Sequence, residues 1–250
     1  MMDRMELDAQ AKELRATLGE DAISPIDVFA LVSQIDKLTL VVYPMGERIS
    51  GMCIREDEAK VIAVNSTMSY GRQRFSLAHE LYHLYYDEHQ GFSVCAKQFD
   101  PARETEKAAD QFASYFLAPY QTLYSMVRRK KTETGRLTLR DIISLEQYFG
   151  MSHSAMLWRL VGDRYLTSEE ADSMRVGVIA AAKSYGFDES LYCPTNKDHQ
   201  QRTYGHYIEQ AEELLKREAI STGKYEELML DAFRSDIVYG GDETEGEPLD

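Results

Sequence analysis

His79 and His83 stand four residues apart, with Glu80 between them, in the run His79-Glu80-Leu81-Tyr82-His83. On an α-helix such residues share one face, about one turn apart. Their imidazoles can then take two corners of a tetrahedral zinc site, at about 2.0–2.1 Å from nitrogen to metal. Glu80, beside the first ligand, faces the same opening and suits a general base acting on the water that a metal activates. The pattern points to metal-assisted hydrolysis of a peptide bond, with one Zn2+ per chain.

A site of this class needs a third protein ligand and keeps a fourth position open. His89 follows His83 by six residues, the spacing of the extended three-histidine signature, which requires glycine midway so that the chain can turn back. Tyr86 occupies that position here. If the helix continues, His89 lies about 9 Å along the axis from His83. Glu106 is the better candidate, with Ala108 and Ala109 allowing a close helix approach and Asp110 one turn further on the same face. Asp110 can accept the free N–H of a ligating histidine and fix its tautomer. Glu104 is the nearby alternative and lacks an acidic residue four places on. Tyr82, Tyr115 and Arg72 are candidates for contact with the oxyanion or substrate, a role that any such hydrolase must fill.

These residues need elements to hold them. Apolar spacing predicts helices over 5–18 and, after Ser24-Pro25, over 26–35. The period then changes to short β-branched runs at 38–43, 51–55 and 61–64, read as a three-stranded sheet. From Gly71 the pattern is helical, with the metal-binding helix over about 73–87 and the Glu106 helix over about 103–117. Further helices follow near 120–129, 139–149 and 152–161, and Thr167-Ser168-Glu169-Glu170 has capping-box spacing. Residues 186–202 read as a linker or long loop, followed by two last helices. The expected class is α+β: a predominantly helical metallopeptidase domain with a small three-stranded sheet, plus C-terminal helices. The expected division is a core at 1–127, a helix-turn-helix-like subdomain at 128–166, a helical extension at 167–235 and an acidic disordered tail at 236–250.

Composition bounds the partners. With 44% apolar and 28% charged residues, the 250-residue chain is neither disordered nor collagen-like. No apolar run approaches the roughly 18 residues of a spanning helix, and the N-terminus lacks a signal-peptide core. Cys53, Cys95 and Cys193 are odd in number and form no C-x-x-C pair, as in a reduced cytoplasmic protein. The net charge of −14 disfavours a general nucleic-acid binder. Residues 128–165 nevertheless carry eight Lys/Arg against four Asp/Glu, and the last fifteen residues carry six acids and no base.

The run Arg72-Gln73-Arg74-Phe75-Ser76-Leu77-Ala78-His79-Glu80, followed by Glu106-x-x-Ala109-Asp110-x-Phe112-Ala113-x-x-x-Leu117-x-Pro119, resembles the ImmA/IrrE family of bacterial and phage metallopeptidases. Ser50-Gly51, Ile62-x-Val64-Asn65 and Pro25-Ile26-Asp27 add to the likeness, which covers about residues 5–165. Residues 220–233 resemble an extension found in some members. The resemblance implies a gluzincin-like (zincin-like) fold with Glu106 as third ligand. It also implies a protein substrate: a helix-turn-helix repressor inactivated by cleavage, or an antitoxin encoded nearby, with the enzyme as a toxin. The chain departs from the family at Tyr82, usually Gly, and at Ala118, usually Met.

Residues 139–165 have the rhythm of a helix-turn-helix around Gly150 and Ser152. That allows DNA contact or a non-catalytic regulator that retains the metal. Ser154, Met156 and Arg159 offer little for reading bases, so a scaffold or docking unit is the preferred reading.

Overall fold

The computed structural model describes residues 3–56, 59–87, 91–96 and 104–240. In chain order the elements are α1 (Arg4–Thr17), α2 (Val28–Val32), β1 (Leu38–Tyr43), β2 (Ile49–Arg55), β3 (Lys60–Asn65), α3 (Tyr70–Tyr85), β4 (Gly91–Ala96) and α4 (Glu104–Leu117). There follow α5 (Tyr120–Thr134), α6 (Leu139–Phe149), α7 (His153–Gly162), α8 (Ser168–Ser173), α9 (Val178–Ser184), β5 (Arg202–Gly205), α10 (His206–Lys216), α11 (Thr222–Asp231) and α12 (Ser235–Tyr239). The α+β, mostly helical class is as expected. The candidate ligand His89 and tail residues 241–250 lie outside the described residues. Among the described residues, no helix is long and apolar enough to cross a membrane.

The sheet differs from the three-stranded expectation. Among the described residues it has five strands in the order β4-β2-β3-β1-β5. β1 runs parallel to β3, with Leu40 opposite Ile62, while β2 pairs antiparallel to β3, with Cys53 opposite Ile62. β4 adds antiparallel to β2, and β5 adds antiparallel to β1, with Val41 opposite Thr203. Both added strands lie at the edges of the sheet. Neither Gly91–Ala96 nor the four residues Arg202–Gly205 offers the long β-branched run that marks a strand in a sequence.

α3 is the axis of the fold. Gly71 and every residue from Gln73 to Leu84 are buried, so polar groups on it must find partners within the protein. The Gln73 amide donates to the Met68 carbonyl at 2.7 Å. The Arg74 guanidinium donates to the Gly150 carbonyl at 3.0 Å, to the Asp27 carboxylate at 3.2 Å, and to the Ile26 carbonyl. That grip helps to explain why α2 begins at Val28 and not at Ile26. Arg74 holds the approach to α2, and Asp27 is the N-cap, accepting from the Phe29 amide at 3.1 Å.

The α6–α7 corner docks on the same helix. A Cβ on Gly71 would lie 2.8 Å from the Ser152 nitrogen, so only glycine lets the start of α3 meet the start of α7 this closely. Gly150 turns the chain at φ +64°. α7 buries His153, Ala155, Met156, Leu157, Arg159 and Leu160. Burial to this extent favours the packing-unit reading, with Ser154 left exposed.

Residues 186–202 are not a free linker. The Tyr70 amide donates to the Cys193 carbonyl at 2.8 Å, Ser69 bridges Pro194, and Leu191 and Tyr192 are buried. The Tyr192 hydroxyl donates to Glu146 at 2.7 Å, and Glu146 is fully buried. His153 Nδ1 lies 2.6 Å from the same carboxylate, while its Nε2 lies 2.8 Å from the Met174 carbonyl. Both partners are acceptors, so the ring satisfies both only as an imidazolium. Burial pushes this histidine down, but Glu146 and the Met174 carbonyl outweigh burial and the nearby Arg175, and its pKa is raised.

A raised pKa means that His153 contributes its full stability below the ordinary histidine value and loses it as pH rises through the folded-state value. Urea unfolding followed across this range should show that component in the wild type and not in His153→Asn. His153→Ala strands the buried Glu146 charge and should cost about 3–5 kcal/mol near neutral pH.

Candidate metal centre

The spacing argument is realised on α3. His79 and His83 lie one turn apart, with their Nε2 atoms separated by 3.2 Å. Glu106 reaches them from α4, with one carboxylate oxygen 3.5 Å from His79 Nε2 and the other 3.5 Å from His83 Nε2. α4 comes this close because Ala108, Ala109 and Ala113 are buried on it. Phe112 then fills the space beside them, 5.5 Å in ring separation from both Tyr82 and Tyr86. Glu104, the alternative ligand, is exposed at the start of α4.

The hydrogen bonds fix the protonation pattern. His79 Nδ1 is 2.9 Å from Asp110, and His83 Nδ1 is 2.9 Å from Asp87. A carboxylate only accepts, so each Nδ1 carries the proton and each Nε2 turns a lone pair inward. Burial, followed by the charge of neighbouring His79, lowers the pKa of His83 against the pull of Asp87 and Glu106. The neutral ring is the form that binds a metal. Three electron-pair donors thus face one another within 4.8 Å. Such an arrangement is repulsive without a cation at its centre.

The donor set fits a metal ion. Ligand atoms about 2.0–2.1 Å from a tetrahedral centre are separated by roughly 3.3–3.4 Å. The separations of 3.2, 3.5 and 3.5 Å bracket that value. Two imidazole nitrogens and one carboxylate are a mixed set suited to a borderline ion such as Zn2+.

Glu80 lies against β2. A Cβ on Gly51 would come within 2.7 Å of Glu80 Oε1 and 3.1 Å of the Ala63 carbonyl, so the missing side chain of Gly51 makes room for this carboxylate. His79 and His83 are also buried, and Glu80 is fully so. The Glu106 side chain is 19% exposed, the most open of the three ligand-type groups.

The remaining candidates are placed differently. Tyr115 is nine residues after Glu106, about 180° around α4 at roughly 100° per residue. It lies under the Arg159 guanidinium at 4.2 Å and lines a cavity with Arg4, Asp8, Tyr120 and Asp163. The buried Tyr82 ring packs edge-on to His83, and burial raises its hydroxyl pKa to about 12. Arg72 lines a cavity of about 740 Å³ with Glu47, Asn65, Ser69 and Ser152.

Two participants were not singled out for the site by sequence reasoning. Asp87 was detectable as the i+4 partner of His83. Arg55, whose guanidinium donates to the Leu84 and Asp87 carbonyls at 3.0 Å each, had no such signal.

Comparison with known proteins agrees with this geometry. Residues 40–161 match the Peptidase M78 family, described as the IrrE N-terminal-like domain. The match supports the resemblance of this region to the ImmA/IrrE family. A stretch of 75 residues is 37% identical to the radiation response metalloprotease IrrE of Deinococcus deserti. The match covers 30% of this chain and about a quarter of that relative's length, 25%.

Equilibrium dialysis against zinc should load the wild-type chain. Glu106→Ala and His79→Ala each remove a donor and should weaken binding by more than the roughly 10–100-fold that an outer hydrogen-bond partner costs. Undiminished uptake by Glu106→Ala would exclude that carboxylate as a ligand.

Proposed function

We propose that this chain is a zinc-dependent endopeptidase that cleaves a specific protein partner, a helix-turn-helix repressor or another regulator. The observation that carries the reading is the convergence of the His79, His83 and Glu106 donor atoms beside the buried Glu80 carboxylate. A bound ion would polarise the scissile carbonyl and lower the pKa of water toward neutrality.

The chain's own residues supply the rest. His79, His83 and Glu106 would hold the ion, with Asp110 keeping the His79 ring in the ligating tautomer. Glu80 receives the proton of the attacking water on its carboxylate and returns it to the departing amine nitrogen. Gly51 holds β2 close enough to limit where that carboxylate can go. The burial of His79, Glu80 and His83 favours a protease with low activity on generic peptides, in keeping with cleavage of a chosen partner.

The test is cleavage of repressors encoded near this reading frame by the zinc-loaded protein. Glu80→Gln should retain zinc and lose about 10²–10⁴-fold in rate. Equal rates in wild type and Glu80→Gln would end the catalytic reading. Gly51→Ala should likewise keep the metal but displace Glu80. A misplacement of about 1 Å can cost 10²-fold, and an unchanged rate would show that β2 does not position the base.

A further inference from the structure

We propose that Asp87, locked in place by Arg55, is the carboxylate that positions His83 for the metal, as Asp110 does for His79; this rests on the metallopeptidase reading. α3 ends at Tyr85 with Tyr86 as its cap, so Asp87 lies just beyond the helix C-terminus. A negative charge is unfavourable there, where the macrodipole favours a cation. A residue that breaks a local rule without local gain points to another role.

The gain lies one turn back. Asp87 Oδ2 is 2.9 Å from His83 Nδ1, and its side chain is 12% exposed. The cation expected at the helix end comes instead from the sheet. Arg55, at the end of β2, donates to the Leu84 and Asp87 carbonyls at 3.0 Å each. Its guanidinium satisfies terminal carbonyls and fixes the backbone of Asp87, while the carboxylate turns toward the histidine.

The two histidines therefore depend on different parts of the fold. His79 takes its carboxylate from α4, so its orientation depends on how α3 and α4 dock. His83 takes its own from the end of α3, which is held by β2. The same strand carries Gly51, four residues earlier, against Glu80. One strand thus governs both the general base and the second histidine.

The experiment measures zinc affinity of the full chain by competition with a chromogenic chelator, for the wild type, Asp87→Asn and Asp87→Ala. Melting of the metal-free proteins and cobalt(II) absorption spectra are recorded alongside. Asp87→Ala should bind zinc about 10–100-fold more weakly. Its cobalt ligand-field bands should be altered, and its metal-free melting temperature should stay within about 2 °C of wild type. Asp87→Asn keeps the shape and an acceptor oxygen but not the charge, and should fall between the two. Arg55→Gln should move affinity in the same direction as Asp87→Ala. Zinc affinity of Asp87→Ala within threefold of wild type, with unchanged cobalt bands, would overturn the proposal. A wild-type chain that takes up no zinc would remove the metallopeptidase reading as well, so the two failures are distinguishable.

Discussion

Three lone pairs aimed at one point form the constraint around which this fold is arranged. The His79 and His83 Nε2 atoms are 3.2 Å apart, with the Glu106 carboxylate 3.5 Å from each. With Asp110 and Asp87 accepting from the Nδ1 atoms, each neutral ring turns its Nε2 lone pair toward the other two donors. Without a cation this is a cluster of like partial charges in a buried, low-dielectric setting. Packed elements hold the three groups at these separations. The support consists of a central helix buried along nearly its whole length, an alanine-lined partner helix and a sheet strand in contact at two points.

The cluster of donor groups was easier to read from the sequence than its supports. His79, Glu80 and His83 follow from i,i+4 geometry, and Glu106 with Asp110 from one more helical turn beside small residues. α1, α4, α6 and α7 lie close to where apolar periodicity and capping residues place them, and Thr167 and Glu170 form the capping box that their spacing predicts. The strand cores at 38–43, 51–55 and 61–64 are also where β-branched runs indicate.

What the sequence hid was long-range pairing. β5 has four residues and reads as the prelude to a helix, yet it pairs with β1 across 160 or more positions. Residues 186–202 look like a linker because they are polar and contain Pro194. The buried Tyr192 hydroxyl and the Cys193 carbonyl nevertheless tie them to α6 and α3. Arg55 gives no local sign that it will cap a helix some thirty residues later. The helix-turn-helix rhythm at 139–165 is present, and six of the ten residues of its second helix are buried. Periodicity identifies which face of a helix is apolar; it does not identify what that face meets.

The central claim is that two imidazoles and one carboxylate hold one ion. X-ray absorption fine structure at the zinc edge of the loaded protein tests it most directly. The account predicts a first shell of only nitrogen and oxygen at about 2.0–2.1 Å, with outer-shell scattering from two imidazole rings. A sulfur scatterer at about 2.3 Å, or scattering from three imidazoles, would contradict it.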